Sequence, residues 1–204
     1  MHFLSDDNNI QAVSSDTFDY RSAIFSTADS DRYVEIFLKE VNWSQLTTFM
    51  YGRKVLTPRL YCWFGDATVS YEIDGHHFRP APWTPELLEI KSTVETLSGV
   101  KFNSVLLNYY RDERDSVAWH SDRDHASGRN RYVASVSFGQ ARYFDLRRKD
   151  NHNKKFSVLL ENGSYLLMKG EFQEQWEHRI AKSTIPMTAR INLTFRISKT
   201  CSID

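Results

Sequence analysis

The 204-residue sequence has only two cysteines, Cys62 and Cys201. Two thiols cannot build a disulfide framework, so a reducing interior is the expected setting. Charge of one sign is missing too. The 26 basic and 26 acidic residues cancel, so the global field does not announce a nucleic-acid binder. Any such role must rest on local patches. No apolar run approaches the ~20 residues of a membrane span. The opening MHFLSDDNNI has neither the basic n-region nor the long apolar h-region of a secretory signal. There is no internal repeat and no low-complexity tract. These absences point to a soluble intracellular protein, with cytoplasm and nucleus not distinguished.

What is present is enough chain for one domain with a real core. Aromatic residues reach 14%, enough both to build that core and to stack on a flat ligand. Residues 1–29 are polar and acidic and read as a loose N-terminal extension, laid over the domain by Phe18, Tyr20 and Phe25. Residues 30–204 read as a single domain. Ser30 is the expected cap of a helix carrying Val34, Phe37, Leu38 and Val41, and a second short helix is expected over Trp43–Met50. The clearest helix has Thr84 as N-cap, Pro85 in its first turn and Glu86 at its positive end. Leu87, Leu88, Ile90, Val94 and Leu97 form its stripe, and Gly99 ends it.

The remainder reads as strands: 102–110, 132–138, 142–147, 156–160, 164–168 and 190–197 are β-branched or aromatic-rich and bounded by turn residues. Helices early and short strands late predict an α+β, mainly β fold: a jelly-roll double sheet buttressed by helices.

Within this frame, His120-Ser121-Asp122 supplies an imidazole and a carboxylate two residues apart, which point the same way on an extended segment. Two histidines and one carboxylate suit iron(II) with positions left open. His125, His152 and His178 all lie downstream as possible third ligands. His178, in QWEHRI, is the best choice because a strand there can return across the first. His125 is too close to avoid strain, and His152 sits in the loop-like DNHNKK. The segment ARINLTFR places Arg190, Asn192, Thr194 and Arg196 at period two, so all four share one strand face. Two arginines beside a metal call for anions, and a dicarboxylate such as 2-oxoglutarate would satisfy both. Asn108 and Tyr110 share a strand face and could add neutral hydrogen-bonding groups.

Together these stretches resemble the AlkB family of Fe(II)/2-oxoglutarate dioxygenases, nucleic-acid alkylation-repair branch. The matching segments are PRLYCWFGD, FNSVLLNYY, DSVAWHSDRD, VASVSFGQAR, YLLMKG, WEHRI and ARINLTFR, in the family's order over about residues 50–197. The resemblance implies a double-stranded β-helix. It implies iron(II) held by His120, Asp122 and His178, and 2-oxoglutarate held by Asn108, Tyr110, Arg190, Asn192, Thr194 and Arg196. Arg196 would meet the carboxylate near the metal and Arg190 the distal one.

The implied reaction uses O2 for ferryl hydroxylation of an N-alkyl group, with release of formaldehyde from 1-methyladenine or 3-methylcytosine in DNA, and RNA as a further candidate. The implied partner is alkylated nucleic acid with a flipped base, met by a monomer. On the substrate side, Asp124 would contact the flipped base, and Tyr71 and Ile73 would belong to a lid hairpin. Relatives usually carry an aromatic ring where Ile73 stands, so base stacking, worth roughly 1–3 kcal/mol on an aromatic platform, is expected to be reduced. Tyr51 would be a wedge into the base stack, with Arg53 and Arg59 nearby. The duplex-preferring branch has a basic cluster between its distal histidine and first cosubstrate arginine. Here IAKSTIPMTA offers only Lys182, and Arg142, Arg147, Arg148 and Lys149 are the expected phosphate contacts instead. A 2-oxoglutarate oxygenase acting on a protein or small molecule is the alternative reading.

Overall fold

A computed structural model describes residues 17–50, 53–73, 76–122 and 132–200. The chain opens with strand β1 (Phe18–Arg21) and helix α1 (Thr27–Glu40). Next come β2 (Thr47–Met50), β3 (Arg53–Leu56), β4 (Leu60–Gly65), β5 (Tyr71–Ile73), β6 (His76–Phe78) and helix α2 (Pro85–Ser98). The second half is β7 (Ser104–Tyr110), β8 (Val117–His120), β9 (Val133–Gly139), β10 (Arg142–Arg148), β11 (Lys155–Leu160) and β12 (Ser164–Met168). The short helix α3 (Phe172–Gln175), β13 (Trp176–Ile180) and β14 (Arg190–Arg196) complete it.

Two antiparallel sheets form the core. The larger runs β1-β12-β9-β14-β7-β4 and the smaller β11-β10-β13-β8. Leu166 and Met168 of the larger sheet pack against Phe144, Leu146, Val158 and Ile180 of the smaller, so the sheets meet face to face as in a jelly roll. The outer face of the larger sheet is covered by both long helices. Tyr33 and Phe37 of α1 and Leu87, Ile90 and Val94 of α2 join Val105, Leu107, Ile191, Leu193 and Phe195 in a second apolar cluster. The expected mainly-β double sheet buttressed by helices is therefore the architecture observed.

The strand β14 shows how sequence period sets this arrangement. Ile191, Leu193 and Phe195 are fully buried under the helices, while Arg190, Asn192, Thr194 and Arg196 face the space between the sheets. One strand thus serves two environments, one dry and one polar.

Helix α2 forms as its caps dictate. The Thr84 Oγ1 accepts from the Leu87 amide at 3.3 Å, and Gly99 adopts the left-handed conformation, φ 68°, at the C-terminus. Its Leu88 is outside the buried stripe, 49% exposed.

Three expectations near the N-terminus are corrected. Ser26, not Ser30, caps α1, accepting from the Asp29 amide at 3.1 Å, and Ser30 is buried within the helix. The pairing of a serine with an acidic residue three positions on is itself a capping signal. The stretch 43–50 is not a helix. Trp43, Leu46 and Phe49 fall at helical spacing, but Thr47, Thr48 and Phe49 favour a strand, and β2 pairs with β3 instead. Finally, the described part of the expected extension is built into the domain. β1 pairs with β12 along Phe18↔Met168 to Arg21↔Tyr165, and Phe18 is 3% exposed. Residues 1–16 lie outside the described residues. Cys62 is a free thiol, and Cys201 also lies outside them.

Candidate active site

The cross-strand register brings the two histidines together. His178 of β13 pairs directly with His120 of β8, and their ring centroids are 4.2 Å apart. Asp122 follows β8 by two residues. Its Oδ1 is 3.7 Å from His120 Nε2, and its Oδ2 is 3.9 Å from His178 Nε2. One ligand atom from each residue lies within 4.8 Å of the others, so a single ion is within reach of all three. Two imidazoles and a carboxylate on one side, with the other side open to a cavity, suit non-haem iron(II). His152 is exposed at a distance of 3.8 Å from Glu177 and does not join this group. His125 lies outside the described residues.

The protonation states favour metal binding. The Nδ1 of His120 lies 2.9 Å from the Ala118 carbonyl oxygen. A carbonyl can only accept, so Nδ1 carries the proton and Nε2 presents its lone pair. Burial pushes the His178 imidazole down to about 3, which keeps it neutral and able to ligate. Burial alone would raise Asp122, but the positive charge of Arg196, 2.6 Å away, together with the histidines, holds it down to about 2. The carboxylate is therefore ionised at neutral pH.

Four supporting contacts were not legible beforehand. The Asp122 amide donates to Gln173 Oε1 at 2.8 Å, and the Gln173 amide donates to Met168 Sδ at 3.3 Å, which ties the carboxylate's backbone to α3. Ser121 Oγ donates to the Trp176 carbonyl at 2.8 Å. The Phe144 ring packs 4.9 Å from His178.

A cavity of about 190 Å³ extends from these residues between the sheets. Arg190, Asn192, Thr194 and Arg196 line it, as do Asn108 and Tyr110, all expected from sequence. They meet because β14 pairs with β7 in the register Arg190↔Tyr110 and Asn192↔Asn108. Serines of β9 hold the strand's side chains in place. Arg190 Nη2 donates to Ser137 Oγ at 2.9 Å, and Asn192 Nδ2 donates to Ser135 Oγ at 2.6 Å.

Arg190 is nevertheless under-satisfied. It is 1% exposed, its Nε and Nη1 have no partner, and burial lowers its pKa to about 10. Arg196 Nε is also buried without a partner. Buried guanidinium donors left open around a polar cavity fit an anion with carboxylates at both ends, such as 2-oxoglutarate.

The expected substrate contacts are distributed unevenly. Arg59 lines the cavity, and its Nε donates to Asn108 Oδ1 at 2.9 Å. Arg53 is exposed at the start of β3. Tyr71 and Ile73 lie at alternate positions of β5, where Tyr71 pairs with Phe78 and Ile73 with His76. Tyr51 and Asp124 lie outside the described residues.

The expected phosphate contacts are engaged by the protein itself. Arg147 pairs with Glu177 at 2.6 Å, Arg148 with Asp150 at 2.6 Å, and Lys149 Nζ donates to the Gln173 carbonyl at 2.7 Å. Arg142 is 2% exposed and cannot reach a backbone phosphate. Within the expected strand, the observed alternation places Arg142 at an inward position with Phe144 and Leu146.

The model of the 2OG-Fe(II) oxygenase superfamily matches residues 19–196. The alpha-ketoglutarate-dependent dioxygenase alkB homolog 3 of Bos taurus is 37% identical over 177 residues, which are 82% of this chain and 61% of the relative. The DNA oxidative demethylase ALKBH2 of Homo sapiens is 31% identical over 185 residues, 86% of this chain and 71% of the relative. The solved structure of OsALKBH1 superposes with a TM-score of 0.61 at 17% identity, covering 88% of this chain and 97% of that one. The chain belongs to the 2OG-Fe(II) oxygenase superfamily, among the AlkB homologues. It spans about 61% of the length of its alkB homolog 3 relative. Among the described residues, no helix is long and apolar enough to cross a membrane.

Proposed function

We propose that this chain is an oxidative demethylase that removes N-alkyl groups of the 1-methyladenine and 3-methylcytosine type from DNA, with RNA as a further candidate substrate. The observation that carries this reading is one cavity with a His-Asp-His donor set and two arginines with unpartnered buried nitrogens. The nucleic-acid part rests on the relatives, one of which is named a DNA oxidative demethylase.

In this reading His120, Asp122 and His178 hold iron(II). Arg196 takes the 2-oxoglutarate carboxylate nearer the metal, and Arg190 takes the distal one with Tyr110. Asn108, Asn192 and Thr194 complete the cradle. Hydroxylation of an N-alkyl carbon, followed by its loss as formaldehyde, is the chemistry that iron(II), 2-oxoglutarate and oxygen supply when bound. The residues of this chain orient the groups and keep the site dry on its Phe144, Leu166 and Met168 side.

The base must leave the helical stack to reach the site, and the chain meets it as a monomer. Asp124 accepts from the exocyclic amino group of the flipped base, while Tyr71 and Ile73 cover it. Tyr51 enters the stack, with Arg53 and Arg59 beside it.

Oligonucleotides carrying 1-methyladenine, single-stranded and duplex, test the reading. After incubation with the protein, iron(II), 2-oxoglutarate and ascorbate, mass spectrometry is expected to show loss of the methyl group only when 2-oxoglutarate is present. Turnover of 2-oxoglutarate with every methylated oligonucleotide unchanged would point to a protein or small-molecule substrate instead.

A further inference from the structure

Arg142 occupies a position that the strand pattern reserves for an apolar residue. In β10 the inward side chains are Arg142, Phe144 and Leu146, while Tyr143 faces solvent. A guanidinium 2% exposed would ordinarily be paired with a carboxylate. Here its hydrogen bonds go to three main-chain carbonyls. Nη1 donates to Asp112 O at 3.1 Å, and Nη2 donates to Asp115 O at 3.0 Å and Ala181 O at 2.7 Å. The nearby Asp115 carboxylate is occupied by Arg111 at 2.8 Å.

The cation also packs against Tyr110, a residue of the cavity wall. The guanidinium carbon of Arg142 is 5.8 Å from the Tyr110 ring centroid, and that of Arg190 is 5.0 Å from the same centroid. The two cations are therefore no more than about 11 Å apart. Neither is paired with a carboxylate among the described residues. Arg142 does not itself line the cavity. Burial lowers both guanidinium pKa values, and the charge of Arg142 contributes to the lowering at Arg190.

We propose that Arg142 is a positioning residue for the distal carboxylate of the cosubstrate. It holds Tyr110 from behind, and its buried charge adds to that of Arg190 in selecting a dicarboxylate over a monocarboxylate. The inference rests on the assignment of 2-oxoglutarate to this cavity. Among the described residues neither buried cation has a carboxylate within ion-pair distance, while Asp115, Asp112 and Glu113 act on Arg142 from further off. The two cations make the Tyr110 side of the cavity attractive to an anion, and Arg142 acts through Tyr110 and Arg190. A unit charge on the order of 10 Å from an anion in partly polar protein changes its affinity by roughly tenfold.

The test compares 2-oxoglutarate with 2-oxopentanoate, which has the same keto-acid head and chain length but no distal carboxylate. Binding is measured by calorimetry on the full chain loaded with manganese(II), so no turnover is needed. Wild type is expected to prefer 2-oxoglutarate. Arg142→Met, an apolar side chain of similar length, is expected to shrink that preference about tenfold. The whole change should come from weaker 2-oxoglutarate binding, with 2-oxopentanoate binding within about twofold of wild type. Arg142→Lys keeps the charge and is expected to keep most of the preference. Arg142→Gln provides a second neutral variant should Arg142→Met fail to fold.

Equal weakening of both ligands would reduce Arg142 to a structural pin of the 112–115 and 181 segments and overturn the inference. An unchanged preference would overturn it as well. A wild-type protein that binds neither ligand, or both equally, would instead remove the cosubstrate assignment on which the inference stands.

Discussion

Arg190→Met separates stability from function at this site. Arg190 is buried with two unpartnered nitrogens, Nε and Nη1, and makes a hydrogen bond to Ser137 Oγ. An unsatisfied buried donor costs about 1–3 kcal/mol, and a made hydrogen bond contributes about 1 kcal/mol. Replacing the charge with an apolar side chain of similar length removes the larger unfavourable contribution and loses the smaller favourable one. Without ligand, the variant is therefore expected to melt at or above the wild-type temperature.

With ligand the order reverses. A cosubstrate at about a hundred times its Kd stabilises the folded state by about 2.7 kcal/mol. For a chain of this size that is roughly 5–10 °C in Tm. Thermal denaturation of the manganese(II)-loaded protein, with and without saturating 2-oxoglutarate, is the assay. Wild type should gain roughly that shift, and Arg190→Met should gain none. A variant that melts several degrees below wild type without ligand would show that Arg190 is satisfied in ways the geometry does not reveal. A variant that still gains the full shift would show that Arg190 does not bind the ligand.

Other predictions follow from the same contacts. Gln173→Ala should weaken manganese(II) affinity by about 10–100-fold, because it removes the acceptor that holds the Asp122 amide; titration followed by electron paramagnetic resonance reads this directly. Gly139→Ala should destabilise by more than ~1 kcal/mol in denaturant unfolding, because Gly139 has φ 83° and a Cβ there would collide with the Ala189 carbonyl oxygen. Glu95 is buried, and its carboxylate accepts from the Phe102 amide at 2.9 Å and pairs with Lys101 at 2.7 Å and Lys91 at 3.0 Å. Burial pushes its pKa up, but these partners outweigh burial and leave it below the ordinary glutamate value. A depressed carboxylate pKa gives stability that is present above the unfolded value, about 4.3, and is lost as pH falls through the folded value. Glu95→Gln should thus destabilise by ~1–3 kcal/mol at pH 7, with the difference from wild type closing below about pH 4.

Much of the site was legible because it lies on strands. ARINLTFR announces its two faces by period two, and both faces are used: one under α2, one toward the cavity. HSD followed by a distant histidine gave the donor set, since only a returning strand could bring His178 beside His120. The rest depends on register and burial that local pattern does not encode. Gln173 lies on a four-residue helix with no periodic signal, yet it holds the Asp122 amide. Arg142 was expected to contact phosphate with Arg147, Arg148 and Lys149. Its inward position follows from where β10 begins, which a one-residue slip would reverse. The stretch 43–50 was misread because Trp43, Leu46 and Phe49 fall at helical intervals, whereas Thr47 and Thr48 favour the extended backbone that pairs with β3.

The most direct measurement of the whole account is the ratio of succinate formed to methyl groups removed, by mass spectrometry, from an oligonucleotide bearing 1-methyladenine. The expected result is one succinate per restored adenine, with both products absent for Asp122→Ala. Succinate formed in the same amount whether or not the oligonucleotide is methylated, with the base unchanged, would contradict it.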